Sequence, residues 1–343
     1  MTSLSLKQLF ARAATPLALI AALVAPISAA QAAGAGDIES AFDSTFVQRQ
    51  TPVQPREPVY RDPFQAQLAR LASADLGRIG VAAYDLTSGR SIAVLGDQPF
   101  PMASTSKVAI AATFLEMVDA GHLRLSDQYP MMVPVPSRKF AGPVAPVRPG
   151  NYYAAETLID LALTKSSNPA TDALLAAVGG PVAVNDWLRR TGNSGMRLDR
   201  DIATLVRDDG AVNPATTIDA RDSATPMAMV RMLTGLYQGR WLSARSRSFL
   251  LDTMARCETG RKRIPALMPE GLVIAHKTGT LSNTASDIGI ISMPDGRAIA
   301  LAIYVTGQGG KANRDWRIAE IARTIYEGYL YAPSSASASS ARK

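Results

Sequence analysis

Three hydroxyl residues, Ser104, Thr105 and Ser106, stand directly before Lys107 at the mouth of an apolar-striped segment. A serine three residues ahead of a lysine sets a hydroxyl and an amine one helical turn apart on one face. That pairing suits a serine nucleophile, because a hydroxyl attacks poorly until a base removes its proton. The same residues also read as an ordinary helix start. Val108, Ala112, Leu115 and Val118 fall at helical spacing, Gly121 supplies a stop, and a Ser or Thr caps the beginning. Two further stretches decide for chemistry. In "LALTKSSNPATDALL", Ser166, Ser167 and Asn168 occupy a break between two helices, the second restarted by Pro169. In "AHKTGTLS", Lys277, Thr278, Gly279 and Thr280 lie on a strand. Each stretch alone is a common surface pattern; the three in this order are not.

These segments need a frame to hold them. A helix near Phe64–Ala72 precedes two strand-like runs, "RIGVAAYDL" and "RSIAVLG", joined by Thr87-Ser88-Gly89. A mostly helical middle runs from Ser104 to about Arg256. Three strands close the pattern, "GLVIAHKTGT", "ASDIGIISM" and "RAIALAIYVTG", the last two turning at Pro294-Asp295-Gly296, and a helix from Asn313 to about Tyr329 follows. The expected fold is α/β, an antiparallel sheet completed by both chain ends with flanking helices, beside an all-helical part. The expected divisions are an α/β part at about 63–103 and 257–331 and a helical part at about 104–256. Residues 33–62 read as a proline-bearing arm, and 332–343 ("SSASASSARK") as a disordered tail.

Composition narrows the chemistry. The chain has 343 residues and a formal charge of +7, of which the first 32 residues carry +2 and no acid. Those 32 residues run basic, then apolar from Leu17 to Ile27, then Ala30-Gln31-Ala32, the pattern of a secretory signal peptide with a small-x-small cleavage site. The apolar run is too short to span a bilayer and no cysteine sits beside it for a lipid anchor, so a soluble periplasmic protein without a membrane anchor is expected. The remaining positive charges are scattered among few aromatics, which argues against nucleic acid as a partner. Cys257 is the only cysteine, and the histidines are His122 and His276 alone. No internal disulfide and no usual zinc site can be built from them. Neither a metal nor another cofactor is expected, and base chemistry falls to lysine, a carboxylate or water.

Ser-x-x-Lys, Ser-x-Asn and Lys-Thr-Gly in this order match the motif set of serine β-lactamases and penicillin-binding proteins. From about Phe64 to Tyr329 the chain resembles class A β-lactamases, and "NRDWRIAEIARTIYEGY" is similar to that family's closing helix. The resemblance implies β-lactam hydrolysis through an acyl-enzyme on Ser104, by a monomer acting on a small molecule. It implies that Lys107 activates Ser104, directly or by holding a bridging water. The N–H groups of Ser104 and Thr280 would form the oxyanion hole. Ser166 would relay a proton to the departing nitrogen, Asn168 would hold the substrate's side-chain amide, and Lys277, Thr278, Gly279 and Thr280 would form the strand that binds the substrate carboxylate.

The sequence also departs from the family's pattern. Class A enzymes deacylate with a water activated by a glutamate on a loop, in an Arg-x-Glu-x-x-x-Asn pattern. The corresponding region, "RLDRDIATLVRDDGAVNPATTIDARDSATP", contains no glutamate. Begun at Arg200, the pattern puts Ile202 at the base position. Begun at Arg207, it puts Asp209 there and Asn213 at the water-holding position, keeps the loop length without a gap, and pairs Arg207 with Asp222. The second register is the expected one. With a shorter side chain as base, slow deacylation becomes the alternative: a penicillin-recognising serine hydrolase, or a DD-peptidase acting on cell-wall peptides. Ser167 replaces an aspartate of mainly structural role. Ser286 stands where many members carry an arginine for the substrate carboxylate, and no replacement arginine is evident.

Overall fold

The computed structural model describes residues 62–330. The expected signal peptide, nearly all of the expected arm and the expected tail lie outside the described residues. Helix α1 (Pro63–Leu71) starts where Asp62 caps it, its carboxylate accepting the Phe64 N–H at 2.9 Å, with Pro63 in the first turn. Strands β1 (Ile79–Asp85) and β2 (Ser91–Val94) follow. Near the far end come β8 (Val273–Leu281), β9 (Thr284–Ser292), β10 (Ala298–Thr306) and helix α9 (Lys311–Leu330). The five strands form one antiparallel sheet in the order β2-β1-β10-β9-β8, so the two chain ends meet at β1 and β10.

The middle strand explains the layering. In β10 every residue is buried, which requires cover on both faces. Ile299, Leu301, Ile303 and Val305 pack with α9 residues such as Ile318, Ile321 and Ile325. Ala298, Ala300, Ala302 and Tyr304 face the opposite core. The small alanines leave room there for helix α7 (Pro226–Tyr237), which packs across β10 and β1.

That opposite core belongs to the helical part. It contains α2 (Lys107–Asp119), α3 (Ala155–Thr164), α4 (Asn168–Val178), α5 (Gly180–Arg190), α6 (Ile202–Arg207), α7 and α8 (Ala244–Ala255). Helix α2 is buried continuously from Lys107 to Leu115, as a helix enclosed on all sides must be. The expectation of an all-helical part needs one correction. A hairpin, β4 (Gln128–Pro134) with β5 (Val147–Ala154), interrupts it. Its residues are half-buried or exposed, it holds Pro130, Pro134 and Pro149, and its register shifts between Pro130 and Met132, so it shows no clean alternation to read. The two-residue strands β3 (Phe100–Pro101), β6 (Met196–Arg197) and β7 (Ser223–Ala224) are likewise too short for a period.

Candidate active site

Ser104 lies in a 3-10 turn, Ala103–Ser106, immediately ahead of α2. None of the three hydroxyls caps the helix. Thr105 Oγ1 donates back to the Met102 carbonyl at 2.7 Å and Ser106 Oγ to the Ala103 carbonyl at 2.8 Å, and both residues are buried. Ser104 is the one that opens onto a cleft, which it lines together with Ser166, Asn168, Thr278 and Thr280. The turn is held in an uncommon shape, with Ala103 at φ +48°, a cost of order 1 kcal/mol for a residue with a side chain.

One turn on, Lys107 is 1% exposed. Its Nζ donates to the Ser166 carbonyl and to Asn168 Oδ1, both at 2.7 Å, and lies 3.3 Å from Ser166 Oγ. Burial drives the Lys107 pKa well below its ordinary value, the positive charge of Lys277 pushes the same way, and Asp172 opposes them. Lys277, wholly buried, donates to Ser166 Oγ at 3.0 Å and to the Thr278 carbonyl at 3.0 Å. Burial lowers its pKa to about 8, so at neutral pH it keeps its proton. Ser166 thus has a lysine on either side. Its backbone is left-handed, φ +58°, in the break between α3 and α4, where Ser167 caps α4 through the Ala170 N–H.

Gly279 shows why this strand carries a glycine. A Cβ there would sit 2.6 Å from the Met102 carbonyl and 2.5 Å from Ser286 Oγ, so only a bare Cα lets β8 close against the turn that holds Ser104. Behind the strand, His276 Nδ1 bonds Asp287 of β9 at 3.0 Å. Burial disfavours the imidazolium, yet Asp287 outweighs it and lifts the His276 pKa to about 10. Thr278 Oγ1 is bonded to Thr259 Oγ1 at 2.7 Å.

The arginine that the sequence did not reveal is Arg263. It comes from the segment after α8, is 3% exposed, and also lines the cleft. Its guanidinium donates to the carbonyls of Gly279 (2.9 Å) and Ser286 (2.8 Å), to Thr280 Oγ1 (2.7 Å) and to Asp315 Oδ1 of α9 (2.7 Å). It therefore reaches the ground beside Ser286 from a different element. "RKRI" at 261–264, a basic run ending on a buried isoleucine, was the only trace of it in the sequence.

The loop between α6 and β7 overturns the register taken from the sequence. Asp222 pairs with Arg200 (2.6 Å) and accepts the N–H groups of Asp199 (2.7 Å) and Arg200 (3.0 Å). Arg207 pairs instead with its neighbour Asp208 at 2.8 Å. The neck of the loop is Arg200–Asp222, and Ile202 stands where the family's base is sought. Asp209 does not line the Ser104 cleft: both its oxygens accept the Ser282 N–H at 2.9 Å, beyond the end of β8, and Lys139 bonds its carbonyl. Asn213 is exposed and accepts from Asn283 Nδ2 at 2.8 Å, in the same β8–β9 turn. These two residues tie the loop to the hairpin because their short polar side chains find unpaired turn groups there. Asp172 of α4, one helical turn past Asn168, was passed over in the sequence. It accepts the N–H groups of Ile202 (2.7 Å) and Ala203 (2.9 Å) at the start of α6, and burial raises its pKa to about 6.

A serine at the head of a buried helix, two buried lysines meeting at a second serine, and a strand pressed against the turn define a serine hydrolase of the acyl-enzyme kind. Residues 63–329 match the β-lactamase enzyme family, and the chain belongs to that family. It resembles an ancestral class A β-lactamase at 36% identity, over 77% of this chain and 99% of that one, with a TM-score of 0.66. The class A β-lactamase of the last common ancestor of Gram-negative bacteria matches at 35% identity, over 78% and 100% of the two chains, TM-score 0.66. A β-lactamase from Chitinophaga pinensis matches at 25% identity, over 78% and 100%, TM-score 0.68. The protein is a class A β-lactamase-like serine hydrolase, and β-lactam hydrolysis is its activity.

Proposed function

We propose that the β-lactam is opened by Ser104 and that release of the acyl group is the slow half of the cycle. The observation that carries the first part is Ser166 Oγ, 3.3 Å from Lys107 Nζ and 3.0 Å from Lys277 Nζ. The two 2.7 Å contacts of Lys107 use both N–H bonds of a neutral amine and leave its lone pair to take a hydroxyl proton. The amine serves as general base for Ser104, and the proton passes by way of Ser166 to the departing lactam nitrogen. The N–H groups of Ser104 and Thr280 receive the oxyanion. Lys277, Thr278, Thr280 and Arg263 take the carboxylate that β-lactams carry, and Asn168 holds the acylamino side chain. The donor set is fixed before the substrate arrives, so little reorganisation opposes the first step.

The second part rests on what faces the acyl group. The residues lining the Ser104 cleft include no carboxylate, Ile202 stands two positions after the loop's neck arginine, and Asp209 is bonded to Ser282. Water attacks the ester with weaker assistance, so the acyl-enzyme accumulates. The leader sequence supports export, which places the enzyme beside the cell wall. Stopped-flow turnover of a chromogenic cephalosporin with intact-mass analysis tests both parts. The expected result is a burst of one equivalent, then slow turnover, with the adduct mapping to Ser104 and absent from Ser104→Ala. An adduct on Ser106, or turnover surviving in Ser104→Ala, refutes the assignment. Turnover without a burst refutes slow deacylation.

A further inference from the structure

The cleft holds more positive charge than a singly charged β-lactam neutralises. Lys311, in the first turn of α9, lines the same cleft as Ser104 and Arg263. Its Nζ bonds Asp315 Oδ2 at 2.6 Å, while the other oxygen of that carboxylate takes Arg263 at 2.7 Å. One buried carboxylate therefore serves two cations and leaves them a net charge of +1. Lys277, buried behind the cleft and bonded to Ser166 Oγ and the Thr278 carbonyl, adds a second positive charge. No carboxylate among the lining residues offsets these. Arg263 is held by four hydrogen bonds, whereas the Lys311 side chain is 65% exposed and has Asp315 as its hydrogen-bond partner. Its ammonium is the exposed cation beside Arg263, with which it shares Asp315.

We propose that Lys311 forms a second anion subsite, so that the enzyme favours β-lactams bearing an additional anionic group on the side of the ring that carries the carboxylate. This rests on the reading of Ser104 as the acylated residue and of Arg263 with Lys277 as the carboxylate clamp. The ring carboxylate occupies the clamp; a sulfonate or carboxylate on the neighbouring substituent meets Lys311. Because Lys311 is exposed, the contact is a screened ion pair and the preference is modest, about fivefold at low salt, fading as added salt shortens the screening length.

Cefamandole and cefonicid provide the test. These cephalosporins share one acyl side chain and differ only in the tetrazole on the C3 substituent, methylated in the first and sulfomethylated in the second. The readout is the ratio of their acylation efficiencies within one protein, which cancels any general loss in a variant. The expected ratio favours the sulfonated compound by about fivefold in the parent, falls to unity in Lys311→Met, and inverts in Lys311→Glu. A ratio near one in the parent, or a preference unchanged in Lys311→Met, overturns the subsite while acylation of Ser104 by both compounds leaves the hydrolase reading standing. Failure of both compounds to acylate overturns the two together.

Discussion

Acylation should lose efficiency in alkaline solution because Lys277 loses its proton there. Its pKa is lowered to about 8 by burial, so at pH 9 only about one molecule in ten keeps the ammonium, and each further unit removes about tenfold more. The ratio kcat/KM reports groups in the free enzyme, the state described above. Acylation of a carboxylated lactam should therefore fall about tenfold from pH 7 to pH 9, levelling off where Arg263 supports the carboxylate alone. The acid limb belongs to Lys107, which must be neutral to accept a proton. Lys277→Met should reduce acylation by roughly 10² and abolish the alkaline limb. It should also move the acid limb to higher pH, since the like charge that helps depress the Lys107 pKa is gone. The assay is the pre-steady-state acylation rate across pH 5 to 10, with far-UV circular dichroism confirming that the fold holds. A parent profile that changes less than twofold between pH 7 and 9.5, or an acid limb that moves down in Lys277→Met, refutes the reasoning.

Two further substitutions probe the frame. Gly279→Ala should cut acylation by about 100-fold and cost about 1–3 kcal/mol of stability, because its Cβ meets the Met102 carbonyl and moves β8 off the Ser104 turn; an unaltered burst rate argues against that contact. Asp222→Asn keeps a side chain suited to the left-handed backbone at this position (φ +47°) but removes the charge that holds Arg200. A loss of about 2 kcal/mol, a melting point lower by roughly 5 °C and faster hydrogen exchange at Asp199 and Arg200, whose N–H groups Asp222 accepts, are expected. The same loss from Arg207→Gln with none from Arg200→Gln would restore the other register.

What was legible in the sequence was what the backbone itself spaces. Ser104 with Lys107, and Ser166 with Asn168, are separated by a fixed fraction of a helical turn, and Lys277 to Thr280 share one strand, so their geometry is written in their numbering. The sheet strands were legible for a related reason: "RAIALAIYVTG" is apolar on both faces, as a central strand must be. Arg263 and the α9 pair of Lys311 with Asp315 come from separate elements and meet only after folding. The loop register failed because unbroken length was taken as its guide. Lengthening a surface loop costs little, whereas the carboxylate of Asp222 has two N–H groups and a guanidinium to satisfy only at Arg200. Asp209 and Asn213 were then read as chemistry when they are the stitches of that longer loop.

The meeting of β1 with β10 governs when this enzyme comes into being. Arg78 N–H bonds Thr306 Oγ1 across 228 residues, and seven residue pairs from Ile79–Val305 to Asp85–Ile299 continue the seam. Closing so large a loop precedes any gain from pairing, which makes formation of the sheet a slow, late event. During synthesis β1 and β2 must wait until nearly the whole chain has emerged, and the cleft, bounded by β8 on one side and the Ser104 turn on the other, has no wall until then. A chain that stops before Ala298 would leave β1 and β9 with open edges, prone to pair with other chains. Removal of the last 46 residues, from Ala298 onward, should thus yield aggregate rather than a weakened enzyme.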